Sequence, residues 1–152
     1  MDTGELEAAY RELLDAARAG GFRAGDEGTS PEHVLARVVA TDRLLAATTA
    51  AVVSGRPSAY DDSVGSETAY LDAIVRAAGD WDGLVAEVRR CGLELVLLVR
   101  ALDEAGASTP VHTRLVSGGE LRMESPMPWS GVIATHAQVD LPAHMRALVA
   151  LR

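Results

Sequence analysis

The sequence contains no lysine and no asparagine, and only one cysteine, Cys91. Every one of its 14 basic residues is therefore arginine. With alanine, glycine and valine abundant, that bias reads as a GC-rich coding sequence and carries no mechanism. A lone cysteine excludes an internal disulfide and fits a reducing compartment, so the chain reads as cytoplasmic. Basic charge is scarce: 14 arginines face 22 acidic residues, for a net charge of -8. With no basic stripe to displace counterions, the composition argues against a nucleic-acid partner. An anionic membrane surface is disfavoured on the same ground. Long apolar runs are missing too. The longest, residues 93–99, is interrupted by Glu94 and falls far short of the roughly 20 residues that span a bilayer. The first residues, Met1-Asp2-Thr3-Gly4-Glu5, are acidic and polar and do not read as a signal peptide. There is no G-x-S-x-G, Walker loop, G-x-G-x-x-G or C-x-x-C.

What is present is an ordinary globular composition, 48% hydrophobic and 24% charged, too apolar for disorder. A chain of 152 residues reads as a single domain, 1–152, that buries roughly 70% of its unfolded surface. Three breaks rich in Gly, Pro, Asp and Ser, at 20–29, 55–66 and 106–110, divide it. The three- and four-residue recurrence of Leu6, Tyr10, Leu13, Leu14 and Ala17 predicts a first helix over 5–19. Ser30 as N-cap, Pro31 in the first helical position and Glu32 in the first turn start a second, running to about residue 54. Its inner stripe is Val34, Val38, Thr41, Leu45 and Val52, with Glu32, Ala36, Arg43 and Ala47 toward solvent. A short helix over 67–78 and a long one over 81–105, capped by Asp80, follow. Alternation around Val111, Thr113 and Leu115, then Gly118-Gly119, predicts a β-hairpin over 111–124, ended by Pro126 and Pro128. The last helix is read over 129–151. The fold class from pattern is all-α: an antiparallel four-helix bundle with a short β-hairpin before the last helix.

The last helix carries the most unusual stripe. Ile133, Ala137, Asp140, His144, Leu148 and Leu151 recur at helical steps. Two ionisable groups thus sit one turn apart where apolar residues are expected. A carboxylate and an imidazole at i and i+4 can grip one metal ion, and His136 adds a third candidate one turn earlier. Pro142 lies between Asp140 and His144. It cannot donate to the Gln138 carbonyl and should kink the helix there. A helix distorted at its buried polar cluster marks a candidate site.

The stretch from Pro31-Glu32-His33-Val34-Leu35-Ala36-Arg37 through Thr41-Asp42-Arg43-Leu44-Leu45 resembles the second helix of DinB-like proteins. Pro126-Met127-Pro128-Trp129-Ser130-Gly131, followed by His136 and by Asp140-Leu141-Pro142-Ala143-His144, is similar to the fourth helix of one branch of them. That branch is the actinobacterial one related to mycothiol-dependent maleylpyruvate isomerase. The resemblance implies a helical bundle whose members bind a divalent metal, commonly zinc or nickel, through a His on helix 2 and two ligands on helix 4. It implies a low-molecular-weight thiol as co-reactant in some members. Here Arg37 stands where the first His ligand is expected, and arginine offers no lone pair. Asp140 and His144 occupy the other two positions and are the metal candidates; with only two donors, the chain reads as carrying no cofactor. On the same alignment Arg37 points into the space between helices 2 and 4, where Asp140 should pair with it as a buried ion pair. His33, one turn earlier, lies too far from Asp140 to take over.

Two function classes stay open. One is a small-molecule enzyme resembling thiol-dependent isomerases and transferases, with an altered metal site. There Arg37, Thr41 and His136 contact the substrate, Arg37 holds an anionic group, and His144 with Asp140 supplies acid or base chemistry. The other is a non-catalytic small-ligand-binding or interaction protein of the same fold. Segment 93–99, apolar almost all round, predicts a homodimer contact. Cys91 reads as a small buried hydrophobe, Glu94 as a solvated partner of Arg90 or Arg100, His112 as a surface residue, and Trp81 and Trp129 as packing anchors.

Overall fold

The computed structural model describes residues 1–25 and 29–152. Helix α1 spans Gly4–Ala19 and α2 spans Pro31–Val53. The start of α2 is the one the sequence predicts: Ser30 Oγ accepts from the His33 N–H at 3.1 Å, with Pro31 in the first turn. Helix α2 is the central column and packs against α3 (Thr68–Ala78), α4 (Trp81–Arg100) and the end of the chain. It is therefore buried around most of its circumference. Ala36, expected toward solvent, is wholly buried as a result. Asp80 caps α4 by accepting from Gly83 N–H at 2.7 Å.

Helix α4 stops at Arg100 instead of running to residue 105, because Asp103 caps a separate turn. Its Oδ1 accepts from Gly106 N–H at 2.7 Å, starting α5 (Glu104–Ser108). Strands β2 (Pro110–Ser117) and β3 (Glu120–Pro128) form the hairpin. Gly118 and Gly119 both have positive φ, 61° and 77°, as a two-residue turn between twisted strands requires. Strand β3 runs on through Pro126 and Pro128 because it is an edge strand, where a missing N–H costs no ladder bond.

The all-α expectation is overturned by β1, Ala59–Asp61, which pairs in parallel with β2 in the register Tyr60 to Thr113. The sheet is three-stranded and mixed, in the order β1-β2-β3, so the chain does not form a four-helix bundle with a short hairpin appended. Residues 59–61 lie in a segment read as a break; their strand geometry comes from the partner strand. Tyr60 is buried and meets Trp129 edge to face at 5.7 Å, while Trp129 Nε1 donates to Thr49 Oγ1 at 3.0 Å. These contacts seat the sheet on α2.

The last helix is not continuous either. It comprises α6 (Trp129–Thr135), a wide π turn over His136–Asp140, and α7 (Leu141–Val149). In the wide turn Leu141 N–H reaches back five residues to the His136 carbonyl. Pro142 then falls in the first turn of α7, where its missing N–H is not needed. The predicted distortion at Pro142 is thus present, as an inserted residue. Among the described residues, no helix is long and apolar enough to cross a membrane.

Candidate functional site

A pocket of about 470 Å³ opens between α2, the sheet and the last helical segment. Helix α2 contributes Arg37, Thr41 and Leu45. The last segment contributes Val132, His136, Asp140 and His144. The sheet side, with Tyr60, Leu115, Met123 and Met127, supplies an apolar wall. Asp62 sits at the rim, its Oδ1 accepting the Val116 N–H at 2.7 Å and burial raising its carboxyl above the usual range. The five residues singled out in the sequence, Arg37, Thr41, His136, Asp140 and His144, therefore meet in one cavity.

Their pairing differs from expectation. Arg37 is exposed and makes no ion pair among the described residues. Its long side chain extends into water, where a guanidinium needs no protein partner, so the buried Arg37–Asp140 bridge does not form. Asp140 lies beside His136 instead, with Oδ2 3.6 Å from Nδ1. That separation permits charge attraction and is too long for a direct hydrogen bond.

His136 is the buried centre of the cluster, 1% exposed. Its Nε2 lies 3.0 Å from Asp42 Oδ1, and the same oxygen accepts the Tyr10 hydroxyl at 2.6 Å. The tautomer follows: Nε2 carries a proton toward Asp42, and Nδ1 is left facing Asp140. Among the described residues, neither Asp42 Oδ2 nor His136 Nδ1 has a hydrogen-bond partner. Burial alone would lower the His136 pKa, but Asp140 and Asp42 together outweigh it and hold the imidazole at about 9. Burial raises the Asp42 carboxyl, while the hydrogen bonds from His136 and Tyr10 restrain the rise. These two shifts favour opposite charge states for the pair. The ion-pair form fits the contacts best, since one oxygen takes two donors at 2.6 and 3.0 Å, as a carboxylate does.

His144, half-buried on α7, is the opposite case. Burial, the His136 charge and Arg37 hold it down to about 4 against the pull of Asp140. At neutral pH the pocket therefore presents one protonated and one neutral imidazole.

The divalent metal implied by the family resemblance does not fit these residues. Arg37 has no lone pair to give, and His136 Nε2 is committed to Asp42. Among the described residues, no three His, Cys, Asp or Glu side chains are arranged to hold an ion.

The remaining candidates lie elsewhere. His33 pairs with Asp72 of α3 at 2.7 Å. His112 faces Glu124 across the sheet surface at 3.2 Å. Glu94 meets Arg90 at 3.5 Å. Cys91 is buried, and its thiol is pushed up to about 11 by burial and by Glu87, which keeps it unreactive.

Sequence reading missed Asp42 and Tyr10. A signal for Asp42 was present: Leu35, Asp42 and Thr49 are seven apart and so share one face of α2, and all three are fully buried. An acid in the middle of that apolar arc needs a buried partner. Compared with known proteins, the chain matches no family model, no curated protein and no solved structure.

Proposed function

We propose that this protein binds a small carboxylate-bearing carbonyl compound in the pocket and moves a proton next to the carbonyl, as an isomerase does. The observation that carries the reading is the placement of His136, Asp140 and His144 on one helical face of a single pocket, with an unpaired Arg37 at the same cavity. Two titratable groups whose surroundings push their pKa values apart, to about 9 and about 4, divide naturally into acid and base.

In this reading Arg37 takes the carboxylate. The bound anion offsets the guanidinium charge that helps depress His144, lifting that imidazole toward the range where it is an effective base. His144 removes a proton from the carbon beside the carbonyl. The proton of the buried His136 Nδ1 reaches the carbonyl oxygen through the half-exposed Asp140 carboxylate beside it, so an enol forms with both protons accounted for. Return of the proton from His144 to that same carbon, with the hydroxyl proton going back to His136, restores the carbonyl and leaves the C–H exchanged with solvent. Asp42 and Tyr10 are positioning residues that hold the His136 tautomer. The resemblance to DinB-like thiol-dependent isomerases supports this class and brings a low-molecular-weight thiol into the test as co-reactant.

A second reading is a binding protein without catalysis. It is favoured by the direction of the His136 hydrogen bonds, which run into the core toward Asp42 and Tyr10. Deuterium uptake from D₂O into pyruvate and 2-oxoglutarate, followed by proton NMR with and without added cysteine, decides between them. Uptake lost in His144→Ala supports catalysis. Binding lost in Arg37→Ala, with no uptake in the parent, supports the binding protein. Neither uptake nor Arg37-dependent binding rejects both.

Self-association belongs to the same proposal. Segment 93–99 is covered on one side only, and Leu93 and Leu97 stand 56% and 55% exposed on α4. A homodimer through that ridge would dissociate in Leu97→Glu, which sedimentation reads directly.

A further inference from the structure

A second cleft, about 490 Å³, lies between α1 and α4, lined by other residues than the pocket. Its charge is out of keeping with the chain. In a protein of net charge -8, it gathers Arg11 and Arg18 from α1 with Arg89 and Arg100 from α4. Among the described residues, the one acid in its lining is Glu7, which Arg100 already holds at 2.6 Å. Arg11 and Arg89 form no ion pair among the described residues, and Arg18 reaches Asp15 only at 3.9 Å. The floor is apolar. Leu14, Leu93 and Val96 line it beside the ring of Tyr10. Gly92 makes that floor: a Cβ there would lie 2.8 Å from the Tyr10 ring, so only glycine lets the ring lie against α4.

We propose that this cleft is a binding site for a small molecule with an anionic head and an apolar body. The chemistry of recognition is complementary at both ends. Guanidinium groups contributed from both helices are suited to a carboxylate or a phosphate, which arginine holds through paired N–H donors. The apolar floor takes an alkyl or aromatic body out of water. A second copy of this chain fits the cleft less well. A two-fold contact there would set four arginines against the same four.

The test uses the fluorescent probe 1-anilinonaphthalene-8-sulfonate, which has an anionic head on an aromatic body, with the full chain at low salt. One probe should bind per chain, and the paired substitution Arg11→Glu with Arg89→Glu should weaken it about tenfold or more, with circular dichroism unchanged. Arg37→Glu, in the other pocket, should leave the probe in place. Decanoate and decyl phosphate should displace it, the stronger of the two identifying the preferred head group, and decanol should not. Binding that persists within twofold in the paired variant overturns the proposal, as does loss of binding in Arg37→Glu. Displacement by decanol as effective as by decanoate also overturns it, since the cleft would then be an apolar patch only. Leu93 belongs both to this lining and to the ridge of the proposed dimer, whereas Leu97 lies outside the lining, so probe binding retained in Leu97→Glu supports a ligand site separate from the dimer contact, and loss of binding there overturns the proposal.

Discussion

Two charged clusters in this molecule have similar hydrogen-bond lengths and opposite electrostatics. At the surface, Glu87 accepts from Arg43 at 2.9 Å and from Arg90 at 2.7 and 3.0 Å, and its carboxyl is held down at about 2, chiefly by Arg90. In the core, Asp42 accepts from Tyr10 and His136 at 2.6 and 3.0 Å, yet burial drives its carboxyl up. The contrast shows that contact distance does not set the worth of a charge. Solvent does: Arg90 is 59% exposed, whereas Asp42 and His136 are 0% and 1% exposed.

Cutting each cluster sharpens that comparison. The largest effect is expected for Asp42→Ala, which strands the buried His136 cation and the Tyr10 hydroxyl. It should cost on the order of 3–5 kcal/mol in urea unfolding, and a loss under 1 kcal/mol would place the pair at no more than surface value.

The pH dependence comes next. His136, raised to about 9, holds its proton more tightly folded than unfolded, so its contribution is full below about 6.5 and is lost as pH rises through 9. His144, held near 4, acts in reverse: its contribution is full above about 6.5 and is lost as pH falls through 4. Stability from these two groups peaks near pH 6.5, each flank being worth about 3 kcal/mol at most. Unfolding measured at several pH values should show His144→Gln flattening the acid flank relative to the parent while the alkaline flank remains.

Tyr10→Phe removes one donor and leaves Asp42 with His136. About 1–2 kcal/mol is expected, with the His136 resonance in NMR titrating at a shifted pH. The smallest effect belongs to the surface cluster. Glu87→Gln should cost under about 1 kcal/mol and less still in high salt, because its arginine partners are solvated. A cost equal to that of Asp42→Ala would erase the distinction between the two clusters.

The sequence made some of this legible. Ser30 and Pro31 announced α2, Gly118-Gly119 announced the hairpin turn, and the Asp140/His144 stripe led to the pocket. Those signals are local, and their physics needs no partner. Strand β1 was hidden because three residues, Ala59–Asp61, take their conformation from β2. Without that strand the mixed sheet could not be read, nor could the wall it gives the pocket. The Arg37–Asp140 bridge failed for another reason: helical position fixes where a Cα lies, while a long cationic side chain follows water. Asp42 was readable from the face it shares with Leu35 and Thr49, and Tyr10 only once Asp42 was seen to need a donor.

The wide turn at His136–Asp140 also resets the register of the last helical segment. Upstream, α6 is tied to the core by Trp129 and His136, both almost wholly buried. Downstream, α7 begins at Leu141 with Pro142 in its first turn, carries His144, and is tied to the core by Leu141 and Leu148, both fully buried. In an uninterrupted helix, residues eight apart point about 80° away from each other; the extra residue takes up that offset, and two imidazoles eight positions apart come to line one pocket.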